Sequence, residues 1–162
     1  PDDPLTLAAN AGKLHRNFQG YTTDAAETLI GLGTTSISRT PSGYVQNIGE
    51  TGAWARSVAA GELPVAKGVA FSGDDRLRAH VIEEIMCNGS VDLAVAARRY
   101  EAPINWAGSA GPELARFVSD GLITSNGMTI TLTDAGRPLA RVVAAAFDRY
   151  LEKQSARHSV AV

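Results

Sequence analysis

The sequence predicts an α+β protein: a mainly helical domain over residues 72–162 with a small β-hairpin, preceded by a glycine-rich, strand-bearing stretch. Three observations predict it. Leu77, Val81 and Ile85 recur at helical spacing, with Ile82 and Met86 widening the stripe. Runs at 122–125 and 128–132 flank Asn126-Gly127, the favoured dipeptide of a two-residue hairpin turn. Before residue 40, polar, aromatic and glycine residues are interleaved, and no long helical stripe can be drawn.

From the N-terminus, Leu5, Leu7, Ala8 and Ala9 suggest a short helix. Residues 15–23 read as neither an efficient helix nor a plain core strand. A helical turn is expected near Ala25 to Leu29, then a strand over 34–38 with Thr35 and Ile37 on one face and Thr34, Ser36 and Ser38 on the other. Gly31-x-Gly33 allows close backbone approach at the strand's start. As a dinucleotide fingerprint it is incomplete, because Ser36 stands where the third glycine belongs. Pro41-Ser42-Gly43 breaks the strand. Residues 41–71 read as a connector with a helix over 50–60, ended by Gly61 and Pro64, and an extended apolar run over 65–71.

Ser72 with Asp75 three residues on has the form of a capping box, and Asn88-Gly89 that of a C-cap. Ser90 is expected to cap a second helix reaching Tyr100, with Leu93, Ala97 and Tyr100 on one face, closed by Pro103. Pro112 suits the first turn of a third helix carrying Leu114, Phe117 and Val118 up to Gly121. After the hairpin, Thr133 suits the cap of a last helix whose Leu139, Val142, Val143, Ala146, Phe147 and Tyr150 face the core. The tail over 155–162 is expected to fray. The order helix, helix, helix, hairpin, helix is winged-helix-like.

The chain has 162 residues, 44% of them hydrophobic, which is enough for one ordinary domain with a real core. A net charge of -2 argues against a partner recognised through phosphate charge. No apolar run approaches the roughly 20 residues that span a bilayer, and Pro1-Asp2-Asp3-Pro4 does not open a signal peptide. Neither nucleic acid nor membrane is therefore an expected partner. The start at Pro1 fits a piece of a longer protein. The single cysteine, Cys87, excludes an internal disulfide and fits a reducing, cytoplasmic setting. It lies on an apolar helix face and reads as a buried thiol. Glu83-Glu84, Asp74-Asp75 and Arg98-Arg99 read as solvated, since neighbours on a helix point apart. His15, His80 and His158 have no zinc-like spacing, so no metal site is expected, and no catalytic set can be read.

The most informative segments are His15-Arg16-Asn17-Phe18-Gln19-Gly20-Tyr21-Thr22-Thr23 and Gly31-Leu32-Gly33-Thr34-Thr35-Ser36-Ile37-Ser38. Together they resemble the oxygen-independent coproporphyrinogen III oxidases, radical S-adenosylmethionine enzymes of haem synthesis. Tyr44-Val45-Gln46-Asn47, Lys67-Gly68, Asp74-Asp75 and the stretch from Val81 to Cys87 are similar to that family too. The resemblance implies a C-terminal fragment: the terminal strand segment of a radical SAM (β/α) barrel (1–40), a connector (41–71) and the helical domain (72–162). It implies that Phe18, Gln19 and Ile37 help bind a second S-adenosylmethionine beside the one on the [4Fe-4S] cluster. Arg16 is available either to a substrate carboxylate or, equally, to a structural salt bridge, and no role is assigned to it. The family's three-cysteine cluster loop is not in these 162 residues, and one cysteine cannot hold a cluster that takes several thiolates. The fragment alone is therefore not expected to be catalytic. Implied partners are coproporphyrinogen III, the rest of the barrel and an electron donor, in a monomeric parent. Two alternatives stand beside this reading. One is a non-catalytic haem-binding or chaperone relative. The other is a winged-helix nucleic-acid module, for which the third helix offers Arg116 as its only basic residue against Glu113 and Asp120.

Overall fold

The structure is a computed structural model and describes residues 2–151. His158 and the tail expected to fray lie outside them. Helix α1 (Pro4–Asn10) starts where Asp3 accepts from the Thr6 N–H, with proline in its first turn. Residues 15–23, which carry no plain strand signal, form a hairpin of β1 (His15–Asn17) and β2 (Gly20–Thr22). The helical turn expected near Ala25 to Leu29 is absent. Asp24 instead folds into a side-chain turn by accepting from the Ala26 N–H at 2.8 Å, and Leu29 makes an isolated antiparallel bridge to Arg39. The strand expected over 34–38 begins three residues later, as β3 (Ile37–Thr40). Thr34-Thr35 is a turn, with Thr35 at φ 60, so strand alternation does not apply before Ile37.

The break at Pro41-Ser42 is the turn of a second hairpin. It joins β3 to β4 (Gly43–Asn47), and β5 (Val65–Ala70) completes an antiparallel sheet in the order β3-β4-β5. Between β4 and β5 lies α2 (Thr51–Ala59), capped by the Glu50 carboxylate, which accepts from the Gly52 and Ala53 N–H groups. No residue of α2 or β5 is buried.

The core belongs to the helical domain. Helix α3 (Gly73–Asn88) has the expected capping box and ends at Gly89 in the left-handed conformation. Its Leu77, Val81 and Ile85 are buried, as the stripe predicts. Ser90 does not cap the next helix. Ser90–Asp92 is a strand, β6, and Asp92 caps α4 (Leu93–Arg99) by accepting from the Ala94 and Val95 N–H groups at 2.8 and 2.9 Å. Helix α5 (Gly111–Ser119) follows, then β7 (Ile123–Asn126) and β8 (Thr129–Leu132). The sheet order β6-β8-β7 makes three strands where the sequence signals only two. Asn126 pairs with Thr129, so the turn is Gly127-Met128, one residue later than expected. Glycine with φ 61 at the first loop position suits a type II′ turn. The last helix, α6 (Ala140–Ala145), is shorter than expected. Ala140, Val143, Ala144 and Phe147 are buried, whereas Leu139, Val142 and Tyr150 are exposed, contrary to the expected core face. Thr133 does not cap α6 but ties the preceding turn by accepting from the Gly136 N–H.

Asp74 and Asp75, expected to be solvated, latch this domain together. Asp74 accepts from Arg78 Nε and from Arg149 Nη1 at 2.8 Å, and Asp75 accepts from the Tyr150 hydroxyl at 2.9 Å. Partial burial would raise both carboxyls. The hydrogen bonds from Arg149 and Arg78 to Asp74, and from Ser72 and Tyr150 to Asp75, outweigh it and hold them below their ordinary 3.8. A carboxylate whose pKa is lowered by folding stabilises above its unfolded pKa and loses that contribution as pH falls through the folded one. Stability should therefore hold above about pH 4 and fall below it. Acid titration by circular dichroism should show a smaller acid loss in Asp74→Asn than in the unchanged protein.

The N-terminal half is built differently. Of residues 2–71, Ala8 is the one buried hydrophobic residue among those described, while Leu32 and Leu63 are each 86% exposed. Val65 and Val69 are exposed on the edge strand β5. An open edge with apolar side chains invites pairing. Residues 1–162 produced alone are expected to associate as concentration rises; light scattering that reports only monomer across a dilution series would contradict this.

Candidate functional site

The β1–β2 hairpin sits on α3. His15 Nδ1 lies 3.2 Å from Glu83 Oε1, the Arg16 N–H donates to the same oxygen at 3.4 Å, and the Tyr21 hydroxyl donates to the Met86 carbonyl at 3.1 Å. Asn17 accepts from the Gln19 N–H at 2.8 Å, which folds Phe18-Gln19 into the two-residue tip. Phe18 stands edge-on to Tyr44 with ring centroids 5.2 Å apart, and Tyr44 stands edge-on to Phe71 at 4.7 Å. Gln19 is exposed, and among the described residues its side-chain amide makes no hydrogen bond.

Ile37 opposes Gln46 and Arg39 opposes Tyr44. Directly opposed residues share a face, as do residues two apart on a strand. Ile37 therefore shares with Tyr44 the sheet face on which Phe18 packs. Its backbone points elsewhere. Arg39 exchanges both backbone hydrogen bonds with Leu29, on the side of β3 away from β4. By antiparallel alternation the Ile37 N–H and C=O point to that same side. There, among the described residues, they have no hydrogen-bond partner.

The Gly31-Leu32-Gly33 loop lies against this edge and is fastened from behind. Asn47 Nδ2 donates to the Gly31 and Gly33 carbonyls at 3.2 and 2.8 Å, and Ser38 Oγ accepts from the Gly31 N–H at 3.0 Å. Asn47 and Ser38 are buried polar residues, so these bonds meet their need for partners. A Cβ on Gly31 would lie 2.8 Å from the Ile37 carbonyl oxygen. The sequence pattern singles out Gly-x-Gly, but only the fold shows that Asn47 holds it.

Between the hairpin, the β3–β4 turn and α3 runs a cleft of about 830 Å³. Phe18, Tyr44 and Phe71 line it; Gln19 and Ile37 do not. His80 lies on it, half-buried, with burial pulling its pKa below the ordinary 6.5. Glu83, expected to be solvated, is the hairpin's anchor. Glu84 accepts from Asn88 Nδ2 at 2.7 Å.

The site is not built for a cluster. Cys87 is half-buried rather than fully buried, and burial, with Glu83 nearby, pushes its thiol up to about 11. Such a thiol stays protonated, whereas a cluster ligand is a thiolate. Among the described residues no group of three or more His, Cys, Asp or Glu is placed to share a metal ion, and no helix is long and apolar enough to cross a membrane.

No family model matches the chain. It is 43% identical over 162 residues to an oxygen-independent coproporphyrinogen III oxidase of Bradyrhizobium diazoefficiens, which covers 100% of the chain and 36% of that protein. It is 39% identical over 155 residues to the protein of that name from Cereibacter sphaeroides, covering 91% of the chain and 33% of the relative. Its fold matches, with a TM-score of 0.87 and 34% identity, a solved coproporphyrinogen III oxidase from Escherichia coli described as a radical SAM enzyme. That match covers 93% of the chain and 35% of the solved one. The chain thus spans about a third of the length of these relatives.

Proposed function

We propose that the chain, similar along its length to about a third of the length of oxygen-independent coproporphyrinogen III oxidases, forms the C-terminal part of such an enzyme. The full protein would convert coproporphyrinogen III to protoporphyrinogen IX by oxidative decarboxylation of two propionates, in the cytoplasm, as a monomer served by an electron donor. Residues 1–40 would close the radical SAM barrel. Residues 72–162 would be a winged-helix-like module that covers the substrate rather than reading nucleic acid: the one basic residue of α5, Arg116, lies over the Phe117 ring, 5.3 Å from its centroid. The cluster that generates the radical would be held outside this chain, whose residues do not fit it.

Within the chain, Phe18, Gln19 and Ile37 would hold the second S-adenosylmethionine. The observation that carries this is the unpaired backbone N–H and C=O of Ile37, beside the Gly31-Leu32-Gly33 loop, in the sheet whose face also bears Phe18's packing partner Tyr44. An unpaired donor and acceptor there suit a polar ligand. The exposed Phe18 ring offers a flat apolar surface, and the free Gln19 amide both donates and accepts.

The test is turnover of coproporphyrinogen III by the full-length protein, purified without oxygen and supplied with S-adenosylmethionine and a reductant. Ile37→Pro removes the N–H on the side away from β4, together with the isoleucine side chain, without removing a donor of the β3–β4 ladder. Turnover should fall at least about ten-fold in Ile37→Pro and in Gln19→Ala, the scale of a lost oriented hydrogen bond. Unchanged turnover in both would refute the assignment of these residues. A parent without turnover that binds haem would refute the oxidase reading itself.

A further inference from the structure

The cleft between the hairpin, the β3–β4 turn and α3 gathers arginines from four separate elements: Arg16 of β1, Arg39 of β3, Arg76 of α3 and Arg99 of α4. None of the four is in an ion pair among the described residues, although Arg56, Arg78, Arg137 and Arg149 all are. Their guanidinium groups make no hydrogen bond there either. Arg16 lies over the Tyr21 ring and Arg99 over the Tyr100 ring, at 5.3 and 5.7 Å from the centroids. Arg16 Nε is buried without a hydrogen-bond partner. A buried guanidinium nitrogen left unpaired costs free energy unless a ligand meets it.

The carboxylates on the same walls are differently placed. Glu83 faces the His15 ring and accepts from the Arg16 backbone, Glu84 accepts from Asn88, and Asp24 accepts from the Ala26 N–H. Glu27 is the fourth acid of the lining. Formal charge in the cleft is thus balanced, but three of the four acids already have donors while the arginines lack acceptors. Guanidinium groups bind carboxylates in pairs of parallel hydrogen bonds, so cations spread around a rim suit several carboxylates on one body. Phe18, Tyr44 and Phe71 give that rim an apolar wall. The volume of about 830 Å³ lies within the range of pockets for such ligands, roughly 300–1,000 Å³.

We propose that Arg16, Arg39, Arg76 and Arg99 are specificity-determining residues that receive the peripheral carboxylates of a broad apolar ring bound in this cleft. The inference rests on the oxidase reading, whose substrate has that chemistry, but not on the second-cofactor site.

The test titrates the full-length protein by fluorescence with coproporphyrin III, a stable tetracarboxylate, and with its tetramethyl ester. Arg39→Gln and Arg76→Gln should each weaken the tetracarboxylate roughly 3- to 10-fold and leave the ester within about two-fold. Arg39→Lys and Arg76→Lys, which keep charge and stem, should weaken it less. Raising salt from about 0.05 to about 0.5 M should weaken the acid far more than the ester. Equal affinity of the double glutamine variant and the unchanged protein, at equal melting temperature, would overturn the proposal. So would equal losses for acid and ester. S-adenosylmethionine binding by the arginine variants should be unchanged. Failure here thus leaves the cofactor reading standing, and failure of the Gln19 and Ile37 variants leaves the arginine result standing.

Discussion

Replacing Phe147 with alanine should destabilise the helical domain by about 3–5 kcal/mol, the range for a fully buried phenylalanine. The side chain is wholly buried just beyond α6, its ring centroid 5.9 Å from that of Trp106. Its own carbonyl accepts from Arg78 Nη1 at 3.2 Å, so it stands where α3 and α6 meet the Asp74 latch. Truncation loses the transfer energy of the ring and leaves a cavity that rigid neighbours fill only in part. Against a typical total stability of about 5–15 kcal/mol this is a large fraction. Leu139→Ala is the control. The sequence pattern assigns Leu139 to the same core face, but it is 42% exposed, and its loss should cost under about 1 kcal/mol. Urea denaturation of both variants separates the two environments; equal costs would contradict the packing described.

Gly31→Ala should lower turnover of the full-length protein by on the order of 100-fold while leaving the helical domain folded. The added Cβ would lie 2.8 Å from both the Ile37 carbonyl oxygen and the Ser36 Cβ. Neither can give way easily: Ser36 accepts from the Asn47 N–H through its carbonyl, and Ile37 is in the β3 ladder. The loop must move off the edge, breaking its bonds to Asn47 and Ser38. A shift of about 1 Å in a positioning element is enough for such a loss. Gly73→Ala, which meets nothing within 4 Å, should leave turnover unchanged. If Gly31→Ala were as active as Gly73→Ala, the loop would not position the proposed site.

The helical domain was legible where signals are local. The capping box at Ser72 and Asp75, the stripe through Val81 and the stop at Gly89 are all set within a few residues of one another. The missed elements depend on distant partners. Ser90-Val91-Asp92 has the composition of a cap, and it is a strand because β8, some 40 residues on, pairs with it. The Ala25 to Leu29 stretch has helix formers, yet Leu29 is held by Arg39 and Asp24 by its own turn. At the proposed site, the resemblance points to Phe18, Gln19 and Ile37, but the unpaired backbone of Ile37 is a matter of register, which no single strand contains. The hairpin tip lacks the Asn-Gly or Asp-Gly signal that would have announced it. Four arginines between positions 16 and 99 carry no spacing that would group them. A weak clue existed in Tyr44 and Phe71, two aromatics in a stretch read as a connector.

The second-cofactor site is tested most directly by the number of S-adenosylmethionine molecules that the full-length protein binds at saturation, measured by equilibrium dialysis without oxygen. Two are expected for the unchanged protein and one each for Ile37→Pro and for Gln19→Ala, with melting temperatures preserved. Two in every variant would place the second molecule elsewhere and contradict the role given to Phe18, Gln19 and Ile37.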